Sequence, residues 1–189
     1  MAAGAADVSA AVTTLKNSEV DFVIIAAIQA TFPTIAKEMA SQGMKVPAIT
    51  TYVCQGVANT VAEDLDGKFD CYINSWKTNE GHDSDLALFN QYVDKNYVSN
   101  ADAQSGWIAA AVFCEELRRI AGQPVTWGNF MTALEQAPIT VPFADVVDFT
   151  NGTRAGVQSM LLLKVDASNT DTYVPVFDGM KSMSDLVGK

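Results

Sequence analysis

The chain has 189 residues, 49% hydrophobic and 18% charged, which is enough apolar material for one ordinary domain or two small lobes. Its 12 Lys and Arg against 22 Asp and Glu leave a formal net charge of -10, which argues against nucleic acid and anionic membrane surfaces as partners. No apolar run approaches the roughly 20 residues that a membrane-spanning helix needs, and Cys54, Cys71 and Cys114 have neither the spacing of a zinc site nor the even number of a complete disulfide framework.

The elements follow in chain order. Met1–Asp7 lacks the basic and long apolar stretches of a secretory signal, so any such signal is expected to have been removed or to lie upstream. Val8, Ala11, Val12 and Leu15 recur at helical spacing, with capping chemistry from Asp7 and Ser9. Residues 21–27 form a continuous apolar run rich in β-branched side chains, which predicts a strand buried on both faces. A second helix follows Thr31, with Pro33 near its start and Gly43 just past its end. Then come a short strand over 46–50, a short helix over 58–64 and a third strand over 69–74.

This alternation predicts an α/β fold with a parallel sheet, right-handed crossovers and helices on both faces. Ligands of such sheets meet the carboxyl ends of the strands, here residues 27–31, 50–55 and 75–78. His82, alone in a polar stretch, reads as a solvated loop histidine. Three helices are expected next, over 83–95, 105–121 and 126–136. Strands follow over 146–150, 157–165 and 173–177, with a turn at Asn151–Gly152 and a hairpin across 166–172. Glu115 and Glu116 with Arg118 and Arg119 read as a solvated, locally paired helix face.

Six stretches of this order carry a family resemblance. They are the helix of residues 7–16, the strand opening Asp21-Phe22-Val23-Ile24-Ile25, and the helix and turn running from Ala36 to Pro47. The others are Phe89–Tyr97, the alanine-rich helix from Trp107 to Gly122, and the turn Val147–Arg154. Together they resemble the second half of a type I periplasmic binding protein, in particular the leucine/isoleucine/valine-binding branch. The resemblance implies a three-layer α/β/α lobe with a parallel sheet. Residues 1–100 and 155–189 would belong to the second, C-terminal lobe, and 104–150 to a largely missing first lobe. The sequence is therefore expected to be the later part of a longer extracytoplasmic protein. Helices 105–121 and 126–136 would then show apolar faces, which predicts a dimer or a domain-swapped assembly.

The function implied is reversible capture of a small solute, delivered to the permease of an ABC transporter. No cofactor or metal is implied. By the same resemblance the ligand-binding candidates are Ile28, Gln29 and Thr31 after one strand, Thr51 and Tyr52 after the next, and Trp76 after the third. Tyr52 stands where the amino-acid-binding branch carries an acid for the ligand ammonium, and a phenol cannot supply that charge. Ligands are thus expected among amino acids and small organic or aromatic acids. A ligand-sensing domain of a receptor or regulator would share the fold, and a flavodoxin-like enzyme domain would share the early rhythm. Catalysis has no support in a Gly-x-Ser-x-Gly elbow, a phosphate-cradling glycine loop or a histidine beside a nucleophile.

Overall fold

Strands β1 (Val23–Ile25), β2 (Ala48–Thr50) and β3 (Cys71–Ser75) lie side by side and parallel, in the register Val23↔Ala48↔Cys71. The structure is a computed structural model that describes residues 7–98, 100–169 and 173–187. Its chain divides into two units: unit 1 comprises Met1–Ser75 and Leu161–Asp178, and unit 2 comprises Trp76–Met160 and Gly179–Lys189.

In unit 1 the links between the strands are helical, as the rhythm predicts. Helix α1 (Ser9–Asn17) precedes β1, and α2 (Phe32–Ser41) joins β1 to β2. A 3-10 stretch (Tyr52–Thr60) and helix α3 (Ala62–Leu65) join β2 to β3. Pro33 falls in the first turn of α2, where its missing N–H costs nothing. Gly43 ends the helix at φ +71°, a conformation open to glycine. Phe32, Ile35, Ala36, Met39 and Ala40 form one buried stripe of α2, and burying each of the larger side chains contributes about 1.5–3 kcal/mol.

The core of unit 1 gathers this stripe with Val12, Val23, Ile25, Ala48, Cys54, Ala58, Cys71 and Ile73. All of its strand residues point to one face of the sheet. The prediction that β1 is buried on both faces is corrected here, because its outward Ile24 is 75% exposed and its neighbours Ile49 and Tyr72 are only half-buried. The apolar run allows two-sided burial; among the described residues of unit 1 the helices pack on the Val23 face alone.

The sheet is also mixed. Strand β4 (Ser159–Val165) pairs antiparallel with β3, Ser75 opposite Leu161, and β5 (Tyr173–Pro175) pairs antiparallel with β4. The predicted hairpin is thus present at Val165↔Tyr173, while residues 170–172 of its link lie outside the described residues. Along β4 buried and half-buried residues alternate without a break.

Unit 2 is mostly helical, with α4 (Asp83–Tyr92), α5 (Ala101–Arg119) and α6 (Trp127–Gln136). Helix α5 starts four residues before its predicted position. The Asn100 side chain caps it, accepting from the Asp102 and Ala103 amides at 2.8 and 3.1 Å. The core joins Phe89, Ile108, Ile139, Val141, Phe143, Ala144 and Val147. Phe89 meets the rings of Trp107 and Phe143 edge-on, at 5.5 and 5.6 Å. Residues 146–150 are not the predicted strand, since only Val147 makes bridges, to Ile139 and Val157. Asp148 folds the chain there instead, its carboxylate accepting from both the amide and the hydroxyl of Thr150.

A short strand β6 (Lys181–Ser182), paired with Ser159 and Met160, and helix α7 (Met183–Leu186) complete unit 2; neither was predicted. The solvated-face reading of 115–119 holds for Glu115 and Arg118 only. Glu116 is fully buried, and the Arg119 guanidinium donates to the carbonyls of Ala133, Ala137 and Pro138 at the end of α6. Large apolar side chains are exposed on these helices: Phe113 and Leu117 on α5 and Trp127 on α6, the last 79% exposed.

Candidate functional site

Parallel pairing puts the carboxyl ends of β1 and β2 next to each other, with Ile25 opposite Thr50. The Thr50 hydroxyl fastens them, donating to the Ile25 carbonyl at 3.0 Å. Five of the six candidate residues leave from these two ends. After β1 the chain turns at Ile28, whose carbonyl accepts from the Thr31 and Phe32 amides, each at 3.0 Å, and so starts α2. Ile28 is 54% exposed, Gln29 half-buried and Thr31 buried. Thr31 is the N-cap residue of α2, although its side chain makes no capping hydrogen bond. After β2, Thr51 and Tyr52 are half-buried at the entry to the 3-10 stretch, where the Cys54 amide bonds back to the Thr51 carbonyl at 2.9 Å.

The second loop is anchored by Tyr173, which the sequence did not single out, and by Ser75 and Cys54, which fall in the stretches marked at the strand ends. The Tyr173 hydroxyl on β5 donates to the Gln55 carbonyl, and burial pushes this phenol up to about 12. The Ser75 hydroxyl at the end of β3 donates to the Gln55 side-chain carbonyl at 3.4 Å. Cys54 turns inward to the Ala27 carbonyl at 3.3 Å, which ties the second loop to the first, and burial raises its thiol. Tyr173 itself carried no signal beyond its place on a predicted strand.

These two loops carry no charged side chain. No ionisable acid or base among Asp, Glu, Lys, Arg and His occurs between Asp21 and Lys37, or between Lys45 and Glu63. Their polar groups are hydroxyls, amides and backbone N–H and C=O groups, which bind a neutral group or share in solvating a carboxylate but cannot neutralise an ammonium. A separate opening, lined by Lys45, Lys68, Asp70 and Tyr72, lies at the opposite, amino-terminal ends of β2 and β3.

Trp76, the sixth candidate, belongs to unit 2, where it is half-buried and packs against that unit's core. Lys77 follows it, buried, with its ammonium donating to the Ala101 carbonyl and to the Ser105 hydroxyl at 3.4 Å. Burial lowers this lysine to about 8, and Asp102 partly opposes the shift. The predicted solvated loop histidine is corrected as well. His82 is half-buried before α4 because the 139–147 loop packs over it. Among the described residues no group of three His, Cys, Asp or Glu side chains could hold a metal ion, and no helix is long and apolar enough to cross a membrane.

A family model described as periplasmic binding protein matches residues 1–171. No curated protein sequence matches. Among solved structures, the chain is similar to a branched-chain amino acid ABC transporter protein from Thermus thermophilus with bound valine. The TM-score is 0.73 at 16% identity, over 94% of this chain and 50% of that one. A substrate-binding periplasmic protein from Ralstonia solanacearum gives 0.69 at 20% identity, over 90% and 50%. A fatty acid ABC transporter substrate-binding protein from Thermomonospora curvata gives 0.64 at 20% identity, over 92% and 47%. The chain therefore spans about half the length of these proteins, and at such identities the likeness establishes the type I fold.

Proposed function

Because this chain belongs to the periplasmic binding protein family, we propose that it forms part of an extracytoplasmic protein that captures a small solute for an ABC transporter permease. The bound solute rests against the carboxyl ends of β1 and β2, on Ile28, Gln29, Thr31, Thr51 and Tyr52. The reading is carried by one observation: two adjacent parallel strands end in loops that are braced by Tyr173, Ser75 and Cys54 yet leave Ile28 exposed. Bracing of this kind lowers the ordering cost of binding. The role assigned to this site is binding.

The neutral surface selects among solutes. A zwitterion removed from water needs a partner for each charge, and these two loops offer none for an ammonium. A small organic or aromatic acid fits them better than a free amino acid, its apolar body on Ile28 and Tyr52. The test is isothermal titration of the whole protein with leucine, valine, benzoate and hexanoate, repeated with Tyr52→Ala. Saturable binding of an acid, weakened at least tenfold by the substitution, supports the proposal. Binding of leucine with unchanged affinity in Tyr52→Ala would refute the site, and a lack of binding to any solute in a broad panel would refute the function.

A further inference from the structure

We propose that His82 is a protonation switch that holds or releases the Phe143 turn of unit 2. Its Nδ1 lies 2.9 Å from the Asp85 carboxylate and 3.2 Å from the Phe143 amide nitrogen. A ring nitrogen carries either a proton or a lone pair, so it serves one of these neighbours at a time. With the proton on Nε2, neutral imidazole accepts the Phe143 N–H, and Asp85 faces a lone pair. The imidazolium instead donates from Nδ1 to Asp85 in a charge-assisted bond. The amide of Phe143, a residue with no exposed surface, then loses its acceptor.

The released group is one under tension. Phe143 sits at φ +60°, a left-handed conformation that is costly for a bulky residue and persists only where its surroundings hold it. Besides His82, the edge-on stack with Phe89 holds it, and so does the Lys77–Ala144 bridge, in which the Thr78 amide donates to the Phe143 carbonyl at 2.7 Å. The turn is thereby sewn to residues 77–78, which directly follow the point where the chain enters unit 2. Loss of the His82 bond loosens the turn from one side while the other attachments remain.

The remaining charged groups nearby are engaged elsewhere or exposed. On the segment before α4, Glu80 is exposed and the Lys77 ammonium is committed to α5. On α4, Asp83 is exposed. On the 139–147 loop, the carboxylate of Asp145 accepts from the Val146 amide at 2.8 Å. On α5, Asp102 lies beside Lys77. Asp85 is thus the carboxylate that competes for Nδ1. The proposal is independent of the ligand reading.

His82 is the one histidine of the chain, so its titration is unambiguous. The experiment follows the imidazole resonances and the Phe143 amide by NMR from pH 8 to pH 5, roughly the range in which histidines change charge. Amide protection is corrected for the intrinsic exchange rate. The Phe143 amide is expected to shift with the same midpoint as the imidazole and to lose roughly tenfold in protection on the acid side, the equivalent of one hydrogen bond. In His82→Gln, whose amide oxygen accepts but does not titrate, both changes should vanish. A Phe143 amide that stays flat through the imidazole titration overturns the proposal, as does an undiminished acid-side change in His82→Gln.

Discussion

Lys77→Met offers a direct measure of what burying an amine costs this fold. In the native protein Lys77 is 5% exposed, and its ammonium lies at the first turn of α5, the end of a helix that disfavours a cation. Its proton affinity in the folded state falls from the ordinary 10.5 to about 8. The folded value is the lower one, so between these limits the unfolded chain holds more protons than the folded chain, and stability rises with pH. Below about 8 the full penalty stands; above 10.5 it is gone. At 1.36 kcal/mol per pH unit this amounts to about 3 kcal/mol. Methionine removes the titration and keeps most of the volume. The stability of Lys77→Met relative to the native protein should therefore decline by about 3 kcal/mol between pH 7 and pH 10.5. Titrations of Cys71 and Tyr173, each pushed up to about 12, occur in both proteins and cancel. Urea unfolding followed by tryptophan fluorescence suits the measurement, because Trp76, Trp107 and Trp127 all lie in unit 2 with the lysine. A difference constant to within about 0.5 kcal/mol over that range would show that the amine is hydrated in the folded state.

Gly156→Ala should destabilise unit 2 by about 1–3 kcal/mol in the same urea assay. The added Cβ would stand 2.6 Å from Phe149 Cζ and 2.7 Å from Val147 Cγ1, and a neutral result would mean that this packing relaxes freely. Ellman's reagent should modify Cys114 rapidly in the native protein and reach Cys54 and Cys71 only in denaturant, since the first is exposed and the other two are buried. Rapid labelling of all three thiols would contradict the core of unit 1. The exposed Phe113, Leu117 and Trp127 predict a dimer or swapped assembly of this chain by light scattering at micromolar concentration, and a monomer mass would remove that expectation.

Local chemistry was the legible part of the fold. Pro33, Gly43 and the stripe from Phe32 to Ala40 place α2 without ambiguity, and the short apolar run from Met160 to Val165 places β4, although its alternating burial appears only in the fold. Asn100 is of a residue type that caps helices, but the first turn it caps, Ala101–Gln104, carries no apolar periodicity that would mark the start of α5. What could not be read depends on neighbours distant in sequence. Periodicity leaves open that Ile24 is exposed, because an apolar run does not say whether a second layer is present. It is equally silent about His82 and Arg119, whose partners lie 61 and 14–19 residues away. At the site, the strand rhythm marked residues 27–31 and 50–55 as strand ends, and the family resemblance singled out Ile28, Gln29, Thr31, Thr51 and Tyr52 within them. The bracing by Tyr173 across 118 residues was beyond reach.

The antiparallel pairing of β3 with β4 sets a timetable for the chain as it is made. Strand β3 leaves the ribosome long before its partner, because residues 76–160 are translated in between. At roughly 5–20 residues per second, those ~85 residues keep one edge of β3 unpaired for several seconds. Such an edge is a template for other strands, including the same strand of a neighbouring nascent chain. Synthesis is therefore a stage at which aggregation threatens this protein, and slowing translation across unit 2 would lengthen the exposure.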